Sequence, residues 1–211
     1  MSAQARDWMI RAHLIGRGIT DRRVLEAMRA LPREAFVPVA LAGEAYGDQP
    51  LPIAEHQTIS QPYIVAFMTQ ELDVEPGARV LEVGTGSGYQ AAVLAKMGAE
   101  VFSIEVKPVL AAGAAAAFAA TGLTVRQRVG DGRAGWPEHA PFDRIVVTAA
   151  APSVPPALLA QLAPGGILVA PVGDADPQQL VAWRRRADGS FDEDVLLDVR
   201  FLPLVDARPE A

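Results

Sequence analysis

Apolar positions follow three different patterns along the chain. In residues 7 to 30, Val24, Leu25, Met28 and Leu31 recur at helical spacing behind Asp21, a capping residue, and Gly16 and Gly18 break the chain before it. Two short helices are expected there. Pro32 and Pro38 end helical structure, and the polar, Pro- and Gly-bearing stretch from Gly43 to Gln61 predicts a long loop, a feature more often functional than idle. A helix resumes over Pro62 to Leu72. From Arg79 short β-rich runs alternate with helical ones: "RVLEV", Tyr89 to Met97, "VFSIE", Val109 to Ala120, "VRQRV", "DRIVVT", a helix near Pro156 to Leu162, and "GILVAPV". Buried apolar strands separated by helices predict an α/β fold, a doubly wound, mostly parallel sheet with helices on both faces. After Gly173 the runs "LVAWRRR" and "VLLDVRFLPL", joined by "ADGS", predict an antiparallel pair at the sheet edge. One domain over 1–211 is expected, with N-terminal helices and loop in 1–72, a core in 77–173 and C-terminal strands in 174–211.

Composition narrows the chemistry. Half of the 211 residues are apolar, enough for a sizeable core, and the formal net charge of −6 gives no footprint for a polyanion. No nucleic-acid partner is expected. The absence of cysteine excludes thiolate catalysis and Cys-ligated zinc, and no ligand cluster points to another metal. No apolar run is long enough to span a bilayer, and Arg6, Asp7, Arg11 and Arg17 interrupt the N-terminal apolar residues, so a cytoplasmic protein without a membrane partner is expected. The three histidines, His13, His56 and His139, are far apart in the chain. Trp8, Trp136 and Trp183 read as packing residues.

The strongest chemical signal is "VLEVGTGSGYQAAVLA". A strand carrying Glu82 leads through Gly84, Gly86 and Gly88 into a helix, so the backbone can turn tightly and a ligand can approach the main chain. A dinucleotide fingerprint would need its third glycine where Tyr89 stands. Glu105 closes the second strand 21 residues after Gly84, where a carboxylate can accept from two ribose hydroxyls, and Asp131 with Gly132 closes the third, where an Asp can accept from an adenine amino group. Three strand ends thus converge on one crevice. The Glu-x-Gly-x-Gly-x-Gly spacing resembles the first motif of S-adenosylmethionine-dependent methyltransferases.

Longer strings carry a more specific resemblance: "RVLEAMRALPREAFVP", "AYGDQPLPI", "QTISQPYIVA", "RVLEVGTGSGYQAAVLA", "GDGRAGWPEHAPFDRIVVTAAAPSVP", "LLAQLAPGGILVAPVG" and "VRFLPL". Along nearly its whole length the chain is similar to the protein-L-isoaspartate O-methyltransferase family. The resemblance implies S-adenosylmethionine as cofactor, methylation of the side-chain carboxylate of L-isoaspartyl and, less efficiently, D-aspartyl residues in damaged proteins and peptides, and hence a repair activity, in a monomer. It implies Ser60 of "TIS" as the catalytic position and Thr58 beside the cofactor with Glu82, the three glycines, Glu105, Asp131 and Gly132. Ile53, His56, Thr148, Ala149 and Arg200 are expected to meet the peptide, Arg200 because the matching strand of the family does; the alternatives are a loop residue at His56, strand-to-helix packing by the small residues Thr148 to Ala151, and an exposed strand residue at Arg200. Two places depart: where the family commonly carries glycines, this chain has Ala54 and His56, and a position that needs positive φ would be strained.

Ser60 has two readings. Followed by Gln61 and Pro62, it is a good N-cap for the next helix. It can equally orient a substrate carboxylate, with Thr58 and main-chain amides nearby, at a helix N-terminus favourable to anions. A carboxylate is already ionised at neutral pH, so the reaction needs no general base, and Ser60 has no activating base that would make it a nucleophile. Aligning the reactants is the main task, worth up to roughly 7–11 kcal/mol. Alternatives are a related carboxyl methyltransferase redirected to another substrate, a non-catalytic sensor or scaffold binding the cofactor or damaged peptide, and a nicotinamide dehydrogenase.

Overall fold

The computed structural model describes residues 2–205; Met1 and residues 206–211, the last of the expected C-terminal segment, lie outside the described residues. Helix α1 (Ser2–Trp8) runs into a π-helical stretch, Met9–Leu14, and a 3₁₀ turn, Ile15–Arg17, closed by Gly18 at φ +93°. Helix α2 (Arg22–Ala30) starts at Asp21, whose carboxylate accepts from the Arg23 amide at 2.8 Å, and buries Val24, Leu25 and Met28 as its spacing requires. Two helical segments are therefore present, the first beginning earlier and wound less regularly than expected. Trp8 departs from the packing role, being 56% exposed.

The expected loop between Gly43 and Gln61 is more structured than its composition suggests. A 3₁₀ turn (Val39–Glu44) is followed by an antiparallel hairpin of β1 (Leu51–Pro52) and β2 (Thr58–Ile59). Leu51 and Ile59 pair across it and are both buried, and that apolar anchor fixes a segment that looks like free loop in one dimension. At the hairpin turn Glu55 and His56 have φ of +57° and +54°, whereas Ala54 does not enter this region. A left-handed conformation costs an L-residue about 1 kcal/mol or more. His56→Gly is therefore expected to stabilise the protein by ~1 kcal/mol, raising Tm by about 2–4 °C. Scanning calorimetry of the pair checks this, and an unchanged or lower Tm would show that the turn is not strained at His56.

Helix α3 (Pro62–Leu72) opens on Pro62 and stops at Asp73, φ +47°. There follow β3 (Arg79–Val83), α4 (Tyr89–Lys96), β4 (Glu100–Glu105), α5 (Pro108–Thr121), β5 (Arg126–Val129), β6 (Phe142–Val147), α6 (Pro156–Ala160), β7 (Leu162–Val172), β8 (Gln178–Arg185) and β9 (Phe191–Val199). They form one seven-stranded sheet in the order β5-β4-β3-β6-β7-β8-β9, parallel from β5 to β7 and antiparallel from β7 to β9. α6 is shorter and β7 longer than expected, because Leu162 already pairs with Phe142 before a bulge restores the register at Ile167 and Arg144. Alternation along the strands splits the core in two. Val80, Val146 and Val169 face α2, α3 and α4, while Leu81, Ile145 and Leu168 face α6 and Trp183. Strand order reverses between β3 and β6, and the crevice outside the carboxyl ends at such a switch point is where ligands bind in open α/β sheets.

Candidate active site

The glycine loop after β3 is held from three sides. Gly84 has φ +98°, and a Cβ added there would lie 2.6 Å from Thr148 Oγ1. The close approach has a purpose: the Thr148 hydroxyl donates to the carbonyls of Gly84 at 2.5 Å and Val83 at 3.1 Å, stapling the end of β6 to the end of β3. On the other side the Glu105 carboxylate accepts from the amides of Gly86 at 2.8 Å and Lys107 at 3.0 Å. Each oxygen keeps a free lone pair for a ligand. Gly132 packs on β3, where a Cβ would fall 2.3 Å from Val83 Cγ1. Gly88 has a different role from its neighbours: it begins α4 at φ +85°, and a Cβ would sit 2.8 Å from Phe118 of α5. It allows two helices to touch rather than a ligand to approach.

Beneath the loop lies Glu82, fully buried. Thr85 Oγ1 lies 2.5 Å from Ser103 Oγ, and Ser103 donates in turn to Glu82 Oε2. Its other oxygen, Oε1, has no hydrogen-bond partner among the described residues, and Glu82 lines a cavity with Gly84, Gly86 and Glu105. An orphaned buried acceptor beside a glycine cradle and a half-satisfied second carboxylate suits a ligand with both an ammonium group and a ribose diol, which S-adenosylmethionine has. Burial pushes the Glu82 carboxyl up to about 8, with Glu105 nearby adding to the rise. The folded protein thus holds a proton that the unfolded chain, near 4.5, releases, so stability present below that value is lost as pH rises toward 8. Glu82→Gln is expected to flatten this fall; thermal unfolding from pH 5 to 8 reads it, and parallel profiles for the two proteins would contradict the assignment.

Two cavities meet at this edge of the sheet. The inner one is the cradle just described, with Val106, Lys107 and Gly132 on its far side. The outer one, about 520 Å³, is walled by Arg17, Tyr63, Leu197, Arg200 and Phe201. Gln57, Thr58, Ser60, Thr148 and Ala149 border both, so the strand running from β2 into α3 is a partition between them. Thr58 and Ser60 lie two apart in an extended stretch and face the same side, while Ile59 between them points into the core.

Ser60 does not cap α3. The N-cap residue is Gln61, without a capping side chain, and the amide of Tyr63 donates instead to Asp48 at 3.3 Å. Asp48 also accepts from Gln61 Nε2 at 2.8 Å and from Arg17 at 2.7 Å, so a carboxylate from outside the helix closes its first turn. The Ser60 hydroxyl makes no hydrogen bond among the described residues and is left for the partition.

Other expected residues stand elsewhere. His56 is exposed at the hairpin turn and borders neither cavity. Ile53 lies over Gly86 in an adjoining apolar recess with Phe36 and Leu110. Asp131 accepts from the Arg133 amide at 2.9 Å, capping a 3₁₀ turn, and it is Gly132 beside it that reaches the inner cavity. Arg200 is on the outer wall, paired with Asp176 at 2.7 Å, just beyond the end of β9. Sequence reasoning missed Asp48 and Arg33, whose partners lie 12 to 31 residues away in the chain. Among the described residues no group of His, Asp or Glu is placed to hold a metal ion, and no helix is long and apolar enough to cross a membrane.

A seven-stranded sheet with a glycine cradle at its switch point, flanked by Glu82 and Glu105, defines an S-adenosylmethionine-dependent methyltransferase. The sequence profile of the family described as Protein-L-isoaspartate(D-aspartate) O-methyltransferase (PCMT) matches residues 5–209, and the chain belongs to that family. It is 58% identical to a protein-L-isoaspartate O-methyltransferase of Methylorubrum extorquens (strain PA1) over 203 residues, 96% of this chain and 89% of the relative. It is 55% identical over 212 residues to that of Anaeromyxobacter dehalogenans (strain 2CP-1 / ATCC BAA-258), covering 99% of each. A Plasmodium falciparum beta-aspartate methyltransferase (PCMT), solved with S-adenosyl-L-homocysteine, superposes with a TM-score of 0.83 at 25% identity, over 95% of this chain and 98% of that one.

Proposed function

We propose that the chain methylates the carboxylate left pendant on an L-isoaspartyl residue, where the main chain runs through the β-carbon, and less readily that of a D-aspartyl residue, as the first step in repairing damaged proteins and peptides. When bound, S-adenosylmethionine supplies an electrophilic methyl on a sulfonium centre. Glu82, Gly84, Gly86, Glu105 and Gly132 hold it from the inner cavity, and the peptide lies in the outer one against Arg200 and Phe201. The observation that carries this reading is the shared partition: reactants bound on opposite sides meet at Gln57, Thr58, Ser60, Thr148 and Ala149. Thr148 spends its hydroxyl on the loop carbonyls, which leaves those of Thr58 and Ser60, and Ser60, the position the family resemblance points to, is the one proposed to orient the carboxylate. The attacking oxygen is already ionised, and the partition excludes water and sets direction instead of removing a proton.

A monomer is the proposed working unit, as the family resemblance implies. The cytoplasm is the proposed compartment, since the reaction consumes an intracellular cofactor. The test is transfer of labelled methyl to matched peptides, one with L-isoaspartate and one with L-aspartate. Base-labile label in the isoaspartyl peptide alone is expected; equal labelling of both, or of neither, would refute the repair reading.

A further inference from the structure

Arg33 is an anomaly of the fold. It sits in a 3₁₀ turn, Arg33–Phe36, with no accessible surface, and no carboxylate pairs with it among the described residues. Its guanidinium donates from Nη1 to the carbonyl of Ala45 at 3.1 Å and from Nη2 to the carbonyl of Ser60 at 2.8 Å, while Nε has no partner among the described residues. Its carbon lies 5.3 Å from the centroid of the buried Tyr89 ring. A charge in this position is costly, since removing a guanidinium from water without a counter-ion is strongly unfavourable. Burial works against the charged form here, yet arginine keeps its proton in proteins.

Joining two carbonyls would not require a charge, and the residue so joined carries, like Thr58, a hydroxyl that makes no hydrogen bond among the described residues at the partition. Charge-assisted donors make shorter and stronger bonds than neutral ones, and the fork of a guanidinium fixes direction as well as distance. Ser60 is thereby gripped on both sides: Arg33 holds its carbonyl, and Asp48 holds the next residue, Gln61, together with the first turn of α3. Direct contact between a cation and the reacting carboxylate would stabilise the anion, whose charge is lost as the ester forms, and so would oppose the transfer. A cation one peptide unit away avoids that penalty.

We propose that Arg33 is a positioning residue for methyl transfer, its guanidinium fixing the Ser60 peptide so that the hydroxyl faces the substrate carboxylate. This rests on the assignment of Ser60 above. The experiment is a double-mutant cycle of Arg33→Ala and Ser60→Ala, reading kcat and KM for an isoaspartyl peptide, with the Kd for S-adenosylhomocysteine measured by calorimetry. Arg33→Ala is expected to lower kcat about tenfold or more in the wild-type background and less than twofold in Ser60→Ala, with cofactor Kd unchanged within twofold. If Arg33→Ala does not hold its fold, Arg33→Lys, which keeps the charge and one carbonyl contact, carries the same cycle. An equal loss in both backgrounds, or weakened cofactor binding in parallel with kcat, would make Arg33 structural only. If Ser60→Ala itself leaves kcat unchanged, the assignment of Ser60 fails first, which separates the two failures.

Discussion

Gly84→Ala is expected to weaken cofactor binding by at least a hundredfold, about 2.8 kcal/mol. Two costs fall on the same atom. The φ of +98° is unfavourable for any residue with a Cβ, and that Cβ would stand 2.6 Å from the Thr148 hydroxyl oxygen. Thr148 must swing away and give up its bonds to the Gly84 and Val83 carbonyls, each worth about 1 kcal/mol, which frees the staple between β3 and β6. The loop amide that Glu105 orients then loses its place as well. Calorimetric titration with S-adenosylhomocysteine reads the affinity, and a scan of the free protein reads the accompanying loss of stability. Binding within threefold of wild type would remove this loop from the cofactor site.

Ser60→Ala should give the opposite signature, a large kinetic loss with an intact fold. Without that hydroxyl the carboxylate is less well aligned with the methyl, and kcat on the isoaspartyl peptide is expected to fall roughly 10- to 100-fold, about 1.4–2.8 kcal/mol of lost orientation. Tm should stay within a degree, because the hydroxyl makes no hydrogen bond among the described residues and Asp48 closes α3 in its place. Loss of a true N-cap would instead destabilise by about 1 kcal/mol. A lowered Tm with kcat preserved would return Ser60 to the capping role.

That contrast shows where sequence was informative and where it was not. α3 has the bounds expected of it, because Pro62 can begin a helix but cannot continue one, a strictly local property. β3 likewise matches "RVLEV", since Val80, Leu81 and Val83 supply the apolar run that a strand buried on both faces needs. The glycine cradle and the two glutamates were legible because close backbone approach demands glycine and strand ends demand a fixed spacing. The cap on α3 was not: Asp48 lies 15 residues before the amide it serves, and only the hairpin β1–β2 brings them together. Arg33 gave no local signal of burial, since arginine after proline normally reads as a surface residue. Gly88 looked like part of the ligand loop by spacing, and the contact with Phe118 that explains it comes from the following helix. The departure at His56 was visible as a missing glycine, but its distance from both cavities was not.

The partition between the two cavities also governs how binding at one is felt at the other. Thr58 and Ser60 have one side chain each and two spaces to face, so their rotamers are a variable that both ligands set. If bound cofactor narrows those rotamers toward the arrangement that the peptide prefers, peptide affinity rises by some factor, and linkage requires that the peptide raise cofactor affinity by the same factor. The spent cofactor, having lost its methyl but still filling the inner cavity, then inherits part of that coupling and is held while the esterified peptide is still in place. Under that condition, dissociation of the ester would loosen the partition before the spent cofactor leaves, and the wall that aligns the reactants would also set the order in which the products depart.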